Sequence, residues 1–265
     1  MMLKLSISNI SWDSKYDQEI YKYLLDNNIQ GLEIAPTRVF PNNPYECVKE
    51  AHDFKEYLSK SYHLKISSMQ SIWYGKTEKM FQSVKERKQL MEYTKKAIDF
   101  AAALECHNLV FGCPKNRSIN CSGDYNIAVD FFSAIGEYAH NRNTVIALEA
   151  NPVIYNTNFI TSTAEAFSMV KEVQSEGFLV NLDIGTIIYN EESLDIIADN
   201  IGLINHIHIS EPGLAGILKR KLHRQLAGIL AGQYSKFISI EMGKQEDLQR
   251  VFDALSYVKE VFYDI

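Results

Sequence analysis

Residues 205–211 read NHIHISE, and polar and branched apolar side chains alternate from His206 to Ser210. On an extended chain His206, His208 and Ser210 share one face, while Ile207 and Ile209 share the other. A strand is sided in this way when aliphatics pack on one layer and polar groups face another. Three neighbouring runs follow the same rule. In TVIALEAN (144–151) Val145, Ala147 and Glu149 oppose Ile146 and Leu148; in FLVNLDIG (178–185) Asn181 and Asp183 oppose Val180 and Leu182. In FISIEM (237–242) Ser239 and Glu241 oppose Ile238 and Ile240. Each run ends, or nearly ends, on an acid or an imidazole: Glu149, Asp183, His208 and Glu241.

Strand-like runs extend along the whole chain, at 3–8, 31–35, 65–70, 108–113, 144–150, 178–183, 205–210 and 237–242. Apolar-periodic segments lie between them, at 17–27, 45–62, 77–104, 124–141, 162–176 and 246–262. Ser162 or Thr163 supplies a helix-start signal, and Asp124 opens another segment. The spacing between strand ends is roughly 25 to 43 residues, which suits one crossover helix per step. Eight βα units in 265 residues predict one α/β domain over 1–265, a (β/α)8 TIM barrel. An open doubly wound sheet also alternates strand and helix, but no glycine-rich phosphate loop follows the first strand, where SISNISWD (6–13) stands. In a barrel the large aliphatics face the helices and the polar series faces inward. The four acid and imidazole positions then converge at the C-terminal mouth, where barrel enzymes hold their sites.

Composition narrows the class of protein. Apolar residues at 46% and charged residues at 23% are ordinary for a globular domain, and a net charge of −6 argues against a nucleic-acid partner. Cys47, Cys106, Cys113 and Cys121 show no CxxC pair, which predicts reduced thiols in a cytoplasmic protein. No run approaches the ~20 apolar residues of a membrane span, and the N-terminus lacks a signal-like apolar stretch, so no membrane partner is expected. Aromatic residues along 16–23 and 252–262 hint at a homo-oligomer surface.

Three converging carboxylates repel one another unless a cation sits between them or their protons are retained. A divalent ion is the simpler arrangement. Three oxygen donors and one nitrogen suit Mn²⁺ best, with Mg²⁺, Co²⁺ or Zn²⁺ as alternatives and open positions for substrate oxygens. Singly, each of these residues could equally be a helix cap or a loop acceptor.

LEA at 148–150, NLDIGT at 181–186, HIHISE at 206–211 and SIEM at 239–242 resemble the sugar phosphate isomerase/epimerase superfamily, the xylose-isomerase-like barrels. The resemblance spans essentially the whole chain, and it is similar in particular to the ketose 3-epimerases. That group binds one divalent ion through Glu, Asp, His and Glu in this strand order, which implies Glu149, Asp183, His208 and Glu241 as ligands. HISE matches the family's His-Ile-Gly-Glu stretch, so His208 is preferred to His206, which is read as a hydrogen-bonded interior residue. The chain departs from the family at Thr186, Tyr155 and Leu214, where ketose epimerases carry a histidine, a glutamate and a substrate-contacting arginine. The cage matches and the substrate shell does not.

Substrate contacts are expected from the strand ends. FGCPKNR (111–117) places Lys115, Asn116 and Arg117 in a loop suited to an anionic group, or to solvent. Gln70 and Trp73 follow the third strand, as a hydroxyl partner and an apolar platform. Glu33, with Arg38 nearby, flanks the second strand end, and Glu211 closes HISE. Glu149 and Glu241, on different strands, form the expected acid/base pair for proton abstraction beside a carbonyl through an enediolate. The expected activity is a metal-dependent isomerase or epimerase of a small sugar or sugar phosphate. The alternatives are a lyase of inosose-dehydratase type, a hydrolase like endonuclease IV, and a non-catalytic sugar-binding barrel.

Overall fold

The computed structural model describes residues 3–262. In chain order the strands are β1 (Lys4–Ser8), β2 (Gly31–Ile34), β3 (Lys65–Met69), β4 (Leu109–Phe111), β5 (Ile146–Glu149), β6 (Phe178–Asp183), β7 (Ile204–Ser210) and β8 (Phe237–Glu241). The helices are α1 (Asp17–Asp26), α2 (Pro36–Val39), α3 (Val48–Tyr62), α4 (Val84–Ala103), α5 (Asp124–His140), α6 (Thr163–Val173), α7 (Ile184–Asn190), α8 (Asp195–Ala198), α9 (Lys221–Leu230) and α10 (Leu248–Phe262). The strands pair in parallel in sequence order, and β8 closes on β1 to complete an eight-stranded barrel. Among the described residues no helix is long and apolar enough to cross a membrane.

Strand sidedness follows the alternation in the sequence. Ile207, Ile209, Leu148 and Ile240 are buried in the core with helix residues such as Phe132 and Leu255. Burying such a side chain stabilises the fold by about 1.5–3 kcal/mol, so a one-residue slip that exchanged the two faces would be strongly opposed. The inner face is polar and hydrogen-bonded: Ser6 Oγ lies 2.6 Å from Ser67 Oγ, and Ser239 Oγ donates to Ser6 Oγ at 3.3 Å. Register then sets the upper layer. Glu149 pairs with Asn181, Asp183 with His208, and Ser210 with Glu241.

Side-chain caps fix the starts of α4 and α6. Ser162 and Glu165 form a reciprocal capping box at the start of α6. The helix expected from residue 77 begins at Val84, because Ser83 Oγ accepts from Glu86 N at 3.2 Å and caps it there. The residues before it form turns and irregular chain instead, held where Met80 N donates to Asn116 O at 2.8 Å. Helix α9 fills a segment for which no helix was expected. Its periodic Leu226, Ala227 and Leu230 are buried, but the preceding Pro212 and Gly213 give a loop-like start. The aromatics expected at an oligomer surface pack on their own chain: Tyr23 of α1 stacks on Phe252 of α10, with centroids 4.4 Å apart.

Candidate metal centre

Strands β5 to β8 deliver Glu149, Asp183, His208 and Glu241 to one point at the barrel mouth, with one donor atom from each within 4.8 Å of all the others. His208 is fully buried and central. Its Nδ1 lies 3.0 Å from Glu149 Oε1 and 3.1 Å from Glu241 Oε2, yet makes no hydrogen bond with either. On the far side, Nε2 faces Glu33 Oε2 at 2.9 Å. With Nε2 turned to Glu33, Nδ1 faces the carboxylates, and with its proton displaced it would have the orientation of a metal-ligating histidine backed by an acid.

Every carboxylate is held from behind. Glu149 Oε1 accepts from Asn181 Nδ2 at 2.7 Å and Oε2 from Asn151 Nδ2 at 2.8 Å. Asp183 Oδ2 accepts from Thr186 N at 2.7 Å and Thr186 Oγ1 at 2.8 Å, while its Oδ1 accepts from Ser210 Oγ. Glu241 Oε1 accepts from Gln70 Nε2 at 2.8 Å. Each acid thus has a fixed direction before any ligand arrives.

The electrostatics follow from burial and crowding. Burial, reinforced by Glu149, raises the Asp183 carboxyl to about 6 against the hydrogen bonds of Ser210 and Thr186. Burial raises Glu241 to about 7, with His208 opposing. Burial disfavours the charged form of His208, but Glu33 and Glu241 outweigh it and hold the imidazolium well above its ordinary range. Burial also works against charge on Glu33, where His208 and His206 prevail and keep it ionised. Without an ion, protons therefore supply the positive charge that the carboxylates need. The unpartnered His208 Nδ1 and the three-oxygen, one-nitrogen donor set fit a divalent cation.

Glycine at 112 is required by this packing. A Cβ there would lie 2.8 Å from Glu149 Oε2 and 3.2 Å from Asn151 Oδ1. Gly112→Ala should therefore displace the Glu149 carboxylate, and a divalent ion held by the four donors would bind roughly 10- to 100-fold more weakly, read by calorimetric titration. Unchanged affinity would contradict the tight fit.

The other residues expected at the mouth divide. Gln70 lines the cavity with Glu149, Asp183 and Glu241. Glu33 does not reach it: the residue is fully buried beneath His208 and 3.3 Å from His206 Nε2. Arg117 is a structural strut. Its guanidinium is fully buried and donates to Gly112 O at 2.5 Å, Glu149 O at 2.9 Å, Asn151 Oδ1 at 2.8 Å and Phe159 O. Lys115 is exposed and lines a separate surface hollow with Lys79. Asn116 is buried and donates to Lys76 O at 3.1 Å and Glu78 O at 2.8 Å. Trp73 faces the helix layer, against Phe111 at 4.7 Å, with Nε1 donating to Thr94 Oγ1 at 2.8 Å. Glu211 is buried in a pair with Arg220, at 2.5 and 2.8 Å, and Arg38 pairs with Asp17 at 2.7 Å. Supports that had no assigned role include Asn151, Asn181 and Ser210; the alternation had already placed the last two on the inner face.

Comparisons with known proteins agree with the fold. Among solved structures, 3-keto-D-glucoside 4-epimerase from E. coli superposes with a TM-score of 0.77 at 17% identity, covering 97% of this chain and 99% of that one. D-psicose 3-epimerase from Clostridium cellulolyticum H10 gives 0.75 at 15% identity, over 98% and 99%. A family 2 AP endonuclease from Brucella melitensis gives 0.75 at 15% identity, over 99% and 100%. A search of curated proteins finds no match. At these identities the structural likeness speaks for the fold, and the sequence itself supplies the family: the model described as xylose isomerase-like TIM barrel matches residues 22–261, and the chain belongs to that family.

Proposed function

We propose that this protein is a divalent-metal-dependent isomerase or epimerase of a small sugar, with Glu149, Asp183, His208 and Glu241 as ligands and Mn²⁺ as the favoured ion. The observation that carries the reading is the convergence of these four donors around an unpartnered His208 Nδ1, at the floor of a cavity of about 180 Å³. The sugar epimerases among the structural neighbours support carbohydrate as the substrate.

When bound, the ion supplies positive charge against the oxyanion that develops as a proton leaves carbon beside a carbonyl. Glu149 and Glu241 both line the cavity, from β5 and β8. One carboxylate takes the carbon-bound proton, the released electron pair forms the enediol double bond, and a carboxyl group returns a proton. Return to the opposite face gives an epimer; return to the neighbouring carbon gives an isomer. Asn181, Asn151 and Gln70 hold the two acids still during the exchange.

The test is incorporation of deuterium from D₂O into a panel of ketoses and aldoses, read by NMR with Mn²⁺-loaded protein. Exchange that a chelator abolishes is expected; no exchange across the panel would overturn the reading. A second expectation concerns pH. Asp183 and Glu241 keep protons up to about 6 and 7, and His208 holds its proton above its ordinary range. An ion must displace those protons, so affinity should rise as pH increases through 6 to 8, with protons released on binding. Titration in buffers of different ionisation enthalpy measures both, and pH-independent affinity would count against these ligands.

A further inference from the structure

Two buried side chains beneath the four donors, Glu33 and His206, have no part in the chemistry proposed above. Glu33 comes from β2 and meets both histidines of β7 inside the barrel. One oxygen serves both rings: Glu33 Oε2 lies 2.9 Å from His208 Nε2 and 3.3 Å from His206 Nε2. The two imidazoles stand edge to face, with centroids 5.4 Å apart and planes at 87°.

The strands beside Glu33 offer it no hydrogen bond. Register sets Ser8 of β1 and Ser68 of β3 next to it, but Ser8 Oγ accepts from Gln70 Nε2 at 2.9 Å and Ser68 Oγ accepts from Asn108 Nδ2 at 2.9 Å. Glu33 Oε1 has no hydrogen-bond partner among the described residues. A fully buried carboxylate with one oxygen unpaired costs the fold stability, so packing gives no reason for an acid at this position.

What the acid supplies is direction. A carboxylate accepts and does not donate, so a ring nitrogen within hydrogen-bond distance turns its N–H toward it. His208 therefore keeps the Nε2 proton on the Glu33 side. Its Nδ1, 3.0 Å from Glu149 Oε1 and 3.1 Å from Glu241 Oε2, is the nitrogen turned to the other three donors.

We propose that Glu33 is a positioning residue for the metal centre: it holds His208 by Nε2 so that Nδ1 is the coordinating nitrogen, and His206 braces the same carboxylate oxygen. The proposal rests on the metal-dependent reading of the site. Glutamine at 33 would keep the shape and lose the control, because its amide NH₂ can turn toward the ring and leave the His208 proton on Nδ1, where it blocks an ion.

The test uses the full chain, native and as Glu33→Gln and His206→Gln, with Mn²⁺ for calorimetry and Zn²⁺ as a diamagnetic ion for NMR. Native protein labelled with ¹⁵N should show a His208 Nε2–H proton far downfield and slow to exchange with solvent, both metal-free and with Zn²⁺. Added Zn²⁺ should shift the Nδ1 resonance and leave Nε2 protonated. Glu33→Gln should lose the downfield proton and bind Mn²⁺ roughly 10- to 100-fold more weakly. His206→Gln should keep the proton and most of the affinity. Zn²⁺ bound through Nε2 of native His208 would overturn the proposal, and that result needs no variant to fold. Undiminished Mn²⁺ affinity in Glu33→Gln would remove the role of Glu33 and leave the metal reading standing. A second ion per native chain, lost in Glu33→Gln, would also overturn it, since Glu33, His206 and His208 lie close enough to share an ion of their own. A native chain that binds neither Mn²⁺ nor Zn²⁺ would remove the metal reading and this proposal together.

Discussion

Glu241→Gln should reduce deuterium exchange by about 10³-fold or more and weaken Mn²⁺ binding in the same protein. The substitution preserves shape and removes charge at a fully defined position. In the native chain Glu241 Oε1 is held by Gln70 Nε2 at 2.8 Å, and Oε2 lies 3.1 Å from His208 Nδ1. An amide cannot accept the carbon-bound proton, and it contributes less to a site built on three carboxylates. Gln70→Ala separates the two roles: it leaves the carboxylate in place and frees its direction, so a smaller loss of roughly 10-fold is expected. Parallel titrations and exchange rates on both variants decide the matter. Full exchange in Glu241→Gln would remove Glu241 from the chemistry.

Arg117→Met should unfold the protein more readily, by about 3–5 kcal/mol. Its guanidinium is fully buried, and burial lowers its pKa only to about 10, so it remains charged at neutral pH. Removing it leaves the carbonyls of Gly112, Glu149 and Phe159 and the Asn151 side chain without their donor. Against a typical total stability of roughly 5–15 kcal/mol, this is a large fraction. Thermal unfolding should shift down by roughly 6–15 °C. An arginine whose work was to grip an anionic substrate would behave differently, with unchanged Tm and raised KM; that outcome would overturn the strut.

The contrast between these two residues shows what the sequence made legible. Glu149, Asp183, His208 and Glu241 could be gathered because strand periodicity is local, and eight strands in order leave one place for the last inward residues to meet. Arg117, Trp73 and Glu211 sit in or beside loops, where no period states which way a side chain points. Each was expected at the mouth, and each turns to a partner in its own chain instead: Phe159, Thr94 and Arg220. Glu33 fails for a subtler reason. The β2–β3 register shifts between Leu32 and Glu33, so simple alternation does not report its depth, and its true neighbours come from β7. Helix α9 was hidden because burial of Leu226, Ala227 and Leu230 against the neighbouring layers decides it more than its weak start.

The central claim is that these four side chains hold one divalent ion. Elemental analysis of protein purified without chelator tests it most directly, together with Mn²⁺ titration of the Glu149→Gln and Asp183→Asn variants. The account predicts about one ion per chain in the native protein and a sharply reduced content in both variants. A native protein that takes up no divalent ion, or variants that bind it as well as the native chain, would contradict the account.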